Sequence, residues 1–232
     1  MCTTYTCLLD GDEAHFSTSS SDQAETVLSR QAFDRIISRR QRGKVSTATR
    51  LAAALFEHFK LNDRLRDMRC DPSHTPLIVC NRFAGWDYIA RTTCADVEMT
   101  LDGINNYMAT AWFPAAVQGY LTIEYGNTAQ AITLATTDHD LQAATIDAMF
   151  ARDARGRRAG AVIFGTFECL PGTIGGCDVV GARGAAFGAV SLITSDMDHA
   201  AIQSAVATHQ NLYPWAFATH APLNDRQAAP CG

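Results

Sequence analysis

The sequence of 232 residues has no long apolar run, and this absence limits where the protein can reside. Its longest apolar stretches, such as residues 161–164 and 187–193, are far shorter than the ~20 residues that a membrane-spanning helix needs. The first 16 residues, MCTTYTCLLDGDEAHF, have neither the basic start nor the long apolar segment of a secretory signal peptide. We therefore expect a cytoplasmic protein without a membrane span.

The sequence also lacks paired cysteines and an excess of positive charge. Its eight cysteines are scattered without a CxxC pair, so we expect neither disulfide bonds nor a zinc site. The formal net charge is −5, whereas binding to nucleic acid phosphates requires a strongly positive surface. Nucleic acid is therefore not expected as the main partner.

The composition predicts one globular domain between two less regular ends. Because 47% of the residues are hydrophobic, a chain of this length can bury the core of one domain unaided. Residues 1–29 are predicted to be a flexible lead-in, since residues 11–26 are rich in Ser, Thr, Asp and Glu. The domain is assigned to residues 30–196, and residues 197–232 form a partly irregular extension with three prolines.

Hydrophobic spacing predicts an α/β fold. Apolar residues recur at three- and four-residue steps late in residues 27–59, which predicts a helix with one apolar face. Residues 131–137 and 159–168 are predicted to be buried strands, and residues 141–151 an amphipathic helix between them. This order favours a parallel β-α-β unit. Further predicted elements are a short strand at 77–80, a helix near 86–97 and a glycine-punctuated hairpin at 181–196.

Four collinear segments resemble the β-ketoacyl synthase family, which has the thiolase fold. GYLTIEYG (119–126) is similar to a helix-to-loop motif of that family, and AITLATTD (131–138) to the strand that leads to its nucleophilic cysteine. The arginine-rich segment 36–59 and the glycine-rich segment 181–195 agree in order and spacing. The resemblance covers residues 30–196 and puts Asp138 at the position of the family cysteine.

The resemblance implies half of a thiolase-like fold, a single αβα layered domain with a mixed, mostly parallel sheet. A full ketosynthase is about twice as long, and its second half supplies two histidines whose motifs are not found in this sequence. A carboxylate at the nucleophile position cannot perform the ordinary condensation, which needs a thiolate. Asp138 thus implies an inactive site, as in chain-length factors.

The same resemblance brings Tyr107, Met108, Trp112 and Phe113 to the segment that opens or closes the acyl tunnel in the family. Phe113 matches the gate position most closely. Bulky apolar side chains at a gate would fill volume that the growing chain otherwise occupies, at ~0.8 kcal/mol per buried CH₂. The alternative is that these four are ordinary core or interface residues.

Asp138, His139 and Asp140 together could bind a divalent metal or act as an acid-base set. Three consecutive side chains at a strand-to-helix turn rarely converge on one point, however. We therefore favour Asp138 or Asp140 as a helix cap and expect no metal site.

Basic residues are concentrated between residues 30 and 50. This segment is predicted to dock an acidic acyl carrier protein by electrostatic attraction, unless it is only a solvated helix face. The docking residues would be Arg35, Arg39, Arg40 and Arg42.

The leading prediction is a non-catalytic, chain-length-factor-like subunit of a type II polyketide or fatty acid system, paired with a full-length ketosynthase. No cofactor of its own is expected, because the acyl chain arrives on the phosphopantetheine of an acyl carrier protein. One alternative is a repurposed enzyme that hydrolyses or isomerises carrier-bound thioesters through Asp138 and His139. Another is a structural remnant that self-associates as a homodimer.

Overall fold

The computed structural model describes residues 2–10, 12–19, 25–93, 106–151, 158–169, 173–174, 177–178 and 186–212. Its strands are β1 (Thr4–Asp10), β2 (Glu13–Thr18), β3 (Thr26–Ser29), β4 (Leu77–Cys80), β5 (Ala131–Leu134), β6 (Ala161–Cys169), β7 (Thr173–Ile174), β8 (Cys177–Asp178) and β9 (Ala186–Thr194). Its helices are α1 (Arg30–Ile36), α2 (Arg39–Arg42), α3 (Thr47–His58), α4 (Leu61–Asp67), α5 (Trp86–Thr93), α6 (Asn106–Ala111), α7 (Ala116–Glu124), α8 (His139–Met149) and α9 (His199–Leu212), with a 3₁₀ turn at Pro72–His74.

Seven of these strands form one mixed sheet in the order β3-β2-β1-β9-β6-β4-β5. Strand β4 pairs in parallel with both β5 and β6, while the other four pairings are antiparallel. Strands β7 and β8 form a separate two-stranded ribbon. The predicted α/β class with a mixed sheet is confirmed, although parallel pairing is confined to three strands and is less extensive than we expected.

The predicted β-α-β unit is present. Strands β5 and β6 run parallel to one another on either side of β4, and α8 connects them. All nine residues of β6 are buried, as predicted for this segment, and these include the polar residues Thr166 and Glu168. Strand β5 is different, because its four residues are only partly buried and it forms an edge of the sheet.

Helices cover the sheet on both faces, which gives the αβα layers. On one face α3 packs against β6 and β9, and its Leu51 and Leu55 are fully buried. On the other face α8 and α9 pack against each other, with Ile146 and Val206 in the core beside β4, β6 and β9. Each fully buried leucine contributes about 1.5–3 kcal/mol, so α3 is a main source of stability.

The prediction that residues 1–29 form a flexible lead-in is wrong for the strands β1, β2 and β3. Strand β1 lies inside the sheet between β2 and β9, with the apolar side chains of Tyr5, Cys7 and Leu9 buried. Two of the alternate residues, Thr4 and Thr6, have hydroxyl groups with hydrogen-bond partners, as in the 2.8 Å contact between Thr4 Oγ1 and Ser191 Oγ. Polar residues are tolerated here because neighbouring strands satisfy their hydrogen bonds.

Other boundaries differ in detail. The helical segment expected from residue 27 begins as β3 and is divided into α1, α2 and α3. Strand β9 pairs antiparallel with β6, as a hairpin requires, while residues 181–185 of the predicted hairpin lie outside the described residues. The extension after residue 196 begins with α9, and its last part, 213–232, also lies outside the described residues. No helix among the described residues is long and apolar enough to cross a membrane.

Candidate functional site

The carboxyl ends of β4, β5 and β6 meet at one edge of the sheet, because these three strands are parallel. Asn81 follows β4, and its N–H donates to the carbonyl oxygen of Leu134 at the end of β5 (3.1 Å). Glu168 lies at the corresponding end of β6. Ligand sites of open α/β sheets form outside the carboxyl ends of the strands, so this edge is the candidate site.

Asp138 lies at this edge and caps helix α8. Its Oδ1 accepts a hydrogen bond from the backbone N–H of Leu141 at 3.0 Å, and its own N–H donates to Thr136 Oγ1 at 3.1 Å. An aspartate at the N-cap satisfies an otherwise unpaired backbone donor of the first helical turn. The predicted cap is thus confirmed, whereas a catalytic role for Asp138 stays a prediction.

His139 and Asp140 do not join Asp138 in a shared cluster. Both side chains are exposed, and Asp140 Oδ1 accepts from Gln203 Nε2 on helix α9 at 3.0 Å. Asp138 is instead bonded to its own helix. In the described part of the chain, no group of three His, Cys, Asp or Glu residues could hold a metal ion.

The predicted gate residues fall into two environments. Met108 is buried in a small apolar cluster with Tyr88, Ile89 and Ala111. The other three are exposed, by 41% for Tyr107, 52% for Trp112 and 64% for Phe113.

Two of the exposed gate residues contact neighbouring side chains. The rings of Trp112 and Trp86 pack edge to face, with 4.9 Å between their centres. Lys44 Nζ lies 5.1 Å from the centre of the Tyr107 ring. The four residues therefore do not line one closed cavity, and a gate stays a prediction.

Further apolar side chains are exposed on the elements that flank β5. Helix α7 packs against β4 and β5 and exposes 83% of Ile123, and helix α8 exposes 50% of Leu141. Thr133 in β5 donates from Oγ1 to Gln118 Oε1 on α7 at 2.9 Å. We call strand β5, together with the exposed residues Ile123 and Leu141 of the helices that precede and follow it, the apolar edge surface.

The four predicted docking arginines differ in their contacts. Arg35, Arg39 and Arg40 are exposed. The Arg42 guanidinium donates from Nε and Nη2 to the carbonyl oxygen of Ile37, both at 3.2 Å, so this side chain also stabilises the turn before α2.

The basic segment lies beside helix α7. Gln41 Nε2 donates to Glu124 Oε2 at 3.1 Å, which joins α2 to the end of α7. The carrier-docking role of these arginines stays a prediction.

The sequence-based prediction missed Glu168, a buried carboxyl at the candidate site. Glu168 is 1% exposed; its Oε1 accepts from the Arg82 N–H at 2.6 Å and its Oε2 from the Phe83 N–H at 3.2 Å. Burial raises its pKa to about 7, although these two donors and the Arg82 guanidinium act in the opposite direction. The available signal was a single glutamate near the end of an otherwise apolar strand.

A second missed residue is His209, for which no partner could be deduced. It lies fully buried on α9, with Nδ1 3.0 Å from Thr166 Oγ1 and Nε2 2.9 Å from Ser191 Oγ. Burial lowers its pKa to about 3, so the ring is neutral. These bonds fasten α9 to β6 and β9. The helical spacing from Ile202 through Val206 to His209 was the signal for its inward position.

Comparisons with known proteins leave the family open. No protein-family model matches the chain, and no curated protein matches it. A similar solved structure is the AntDE:AntF assembly, described as a type II PKS acyl-carrier protein in complex with its ketosynthase bound to the hexaketide. The identity is 24% and the TM-score 0.48, over 70% of this chain and 51% of that one. This chain thus spans about half the length of the solved chain, and its α/β assignment rests on its own strand order.

Proposed function

We propose that this chain is a non-catalytic, chain-length-factor-like partner of a ketosynthase in type II polyketide or fatty acid biosynthesis. The observation that carries the proposal is the cap at Asp138, which occupies the position that the sequence resemblance gives to the nucleophile. A carboxylate bonded to its own helix cannot form the thioester that condensation requires. The site then serves to shape a partner's tunnel.

The edge position of β5 supports a protein partner. An exposed edge strand presents unpaired backbone donors and acceptors, which proteins normally cover, charge or shorten. Here β5 is partly exposed and flanked by Ile123 and Leu141, so a partner strand would bury both backbone and apolar side chains.

The exposure of Trp112 and Phe113 supports a role in the tunnel of a heterodimer. Large aromatic side chains lose favourable burial when they face water, and their exposure typically marks an interaction site. In a heterodimer these two would contribute to a wall shared with the ketosynthase, where Phe113 would limit the length of the acyl chain.

The exposed arginines Arg39 and Arg40 support the proposal that an acidic acyl carrier protein binds to the heterodimer. Their side chains are exposed, and they are close to α7 because Gln41 of the same short helix is bonded to Glu124. Long-range attraction to an acidic carrier would accelerate its arrival at the heterodimer.

Co-purification with a ketosynthase encoded beside this chain tests the proposal. We expect a one-to-one complex by size-exclusion chromatography with light scattering, and Ile123→Asp should prevent its formation. Val27→Asp is the matched control, since Val27 is an exposed apolar residue (48%) at the opposite sheet edge, in β3.

Two outcomes would contradict the proposal. A homodimer that does not bind the ketosynthase would favour the alternative of a self-associating protein, which would pair through the same sheet edge. Thioester turnover by the isolated chain that disappears in Asp138→Ala would favour the enzyme alternative.

A further inference from the structure

Glu168 holds the loop between β4 and α5 against the end of β6. Its Oε1 accepts from the Arg82 N–H at 2.6 Å and its Oε2 from the Phe83 N–H at 3.2 Å, while Arg82 Nε lies 3.9 Å from Oε1. Hydrogen bonds to a carboxylate are shorter and stronger than those between neutral groups. Because both oxygens accept from consecutive N–H groups, this one side chain fixes the position of the loop, residues 81–85, on the sheet.

The loop is in direct contact with helix α6. The Gly85 N–H donates to the Ala111 carbonyl oxygen at 2.8 Å, and a Cβ on Gly85 would lie 2.9 Å from both that oxygen and the Ala111 Cβ. The two backbones are therefore packed without room for a side chain on Gly85. Since closely packed interiors transmit displacements, a shift of the loop moves α6 as well.

Helix α6 in turn positions two exposed aromatic side chains. Trp112 and Phe113 follow its last residue directly, and the Trp112 N–H donates to the carbonyl oxygen of Met108 at 3.2 Å. The Trp112 ring also packs against Trp86, the first residue of α5. The positions of Trp112 and Phe113 thus depend on the loop and on both helices.

Helices α5 and α6 are also attached to the rest of the domain through α3. Asp87 of α5 is 6% exposed, and its Oδ2 accepts from the Thr47 N–H at the start of α3 at 2.9 Å. The apolar cluster around Met108 holds α5 and α6 together. The two helices therefore form a unit that one buried carboxyl, Asp87, links to α3 and another, Glu168, links to β6.

We propose that Glu168 is a positioning residue, which influences product length by fixing the loop and, through it, the places of Trp112 and Phe113. Desolvation offsets much of what a buried carboxylate gains from its bonds, so stability alone is a weak reason for this side chain. Glu168 is 1% exposed and touches no acyl chain itself. Its effect on product length rests on the proposed function, whereas its effect on the tryptophan pair does not.

Circular dichroism of the isolated full-length chain tests the positioning step without a partner. Two indoles in contact couple their electronic transitions and give a pair of bands of opposite sign. A Trp215→Phe background leaves Trp86 and Trp112 as the two indoles, and Trp112→Phe identifies their bands. We expect Glu168→Gln, which replaces an accepting oxygen by an amide donor, to remove most of this signal.

Thr166→Val is the matched control for Glu168→Gln. Thr166 is likewise buried in β6, but it bonds to His209 and not to the loop. Thr166→Val should therefore lower stability and retain the tryptophan signal. An equal loss of signal in the two variants would contradict the positioning role.

A second variant keeps the test decisive if Glu168→Gln does not fold. The Cβ in Gly85→Ala would displace α6 from the loop without touching the carboxyl group, so the tryptophan signal should again fall. A wild-type signal in Glu168→Gln, or in Gly85→Ala where the first variant does not fold, would overturn the proposal.

Product length in the presence of the ketosynthase tests the consequence. We expect Glu168→Gln to broaden the distribution of product lengths found by intact-mass analysis, and Thr166→Val to retain the wild-type distribution. If Phe113→Ala changes product length and Glu168→Gln does not, the positioning role is wrong and the proposed function stands. If neither variant changes it, the proposed function fails, and the circular dichroism result still decides whether Glu168 positions Trp112.

Discussion

Asp138 and Leu141 are joined by a 3.0 Å hydrogen bond from the Leu141 N–H to Asp138 Oδ1, at the start of α8. This bond gives a local structural reason for an aspartate at the position that the resemblance assigns to a cysteine. The bond also directs the Asp138 carboxylate toward the first turn of α8, so that Asp138 does not form a cluster with His139 and Asp140.

Removal of this cap should destabilise the fold modestly. We expect Asp138→Ala to lower the free energy of unfolding by about 1 kcal/mol, while Asp138→Ser, which can also cap, stays close to wild type. Urea unfolding followed by circular dichroism measures both. His139→Ala is the control at the neighbouring exposed residue, and an equal loss in that variant would contradict a specific cap.

His209 should make the protein less stable in acid. The pKa of His209 is about 3 in the folded protein and 6.5 in the unfolded chain. Below pH 6.5 His209 is therefore protonated in the unfolded chain but still neutral in the folded protein. Stability is then lost as the pH falls from 6.5 toward 3.

The measurement compares wild type with His209→Gln by urea unfolding at pH 7.5 and 5.5. The stability advantage of wild type should shrink by about 1.4 kcal/mol at the lower pH. Thr166→Val removes one hydroxyl partner but keeps the ring, so it should lower stability and retain the wild-type pH dependence. A constant advantage of wild type would show that His209 is not the acid-sensitive group.

Two glycines should respond in opposite directions to the same change. In β9, a Cβ on Gly188 would lie 2.8 Å from Leu55 Cδ1, so Gly188→Ala should cost about 1–3 kcal/mol through overpacking. In α7, nothing lies within 4 Å of a Cβ on Gly119, so Gly119→Ala should stabilise the helix by about 0.5–1 kcal/mol. Thermal unfolding reports both, and shifts of the same sign would contradict the packing of α3 on β9.

Several elements could be predicted because a local pattern determines them. Strand β6 is a mainly apolar segment between polar turns, and α3 has its apolar residues at helical spacing. The cap at Asp138 follows from an aspartate between a strand and an amphipathic helix. In each case short-range chemistry and tertiary packing favour the same structure.

Other features depend on partners distant in sequence. Strand β1 contains threonines that look unsuitable for a core until Ser191 and Ser17 supply hydrogen bonds. Glu168 acquires its environment from residues 82–83, and His209 from Thr166 and Ser191. No local pattern in the sequence specifies these long-range contacts.

Charge reversal at Arg39 and Arg40 should weaken binding of an acidic acyl carrier protein. We expect Arg39→Glu with Arg40→Glu to raise Kd at least about 10-fold at low salt, with a smaller effect at high salt. Fluorescence anisotropy of a labelled carrier protein in the presence of the ketosynthase measures it. The matched control is Lys60→Glu with Arg66→Glu, beyond the other end of α3. Unaltered carrier binding after charge reversal at Arg39 and Arg40 would contradict the docking role.

The most direct test of the central proposal is the length of the products made by the ketosynthase together with this chain. We predict that intact-mass analysis of carrier-bound products finds longer chains with Phe113→Ala than with wild type, because removal of the ring opens volume for further methylenes. Met68→Ala, at an exposed methionine on another part of the surface, should leave product length unchanged. Identical product lengths with wild type, with Phe113→Ala and without this chain would contradict the account.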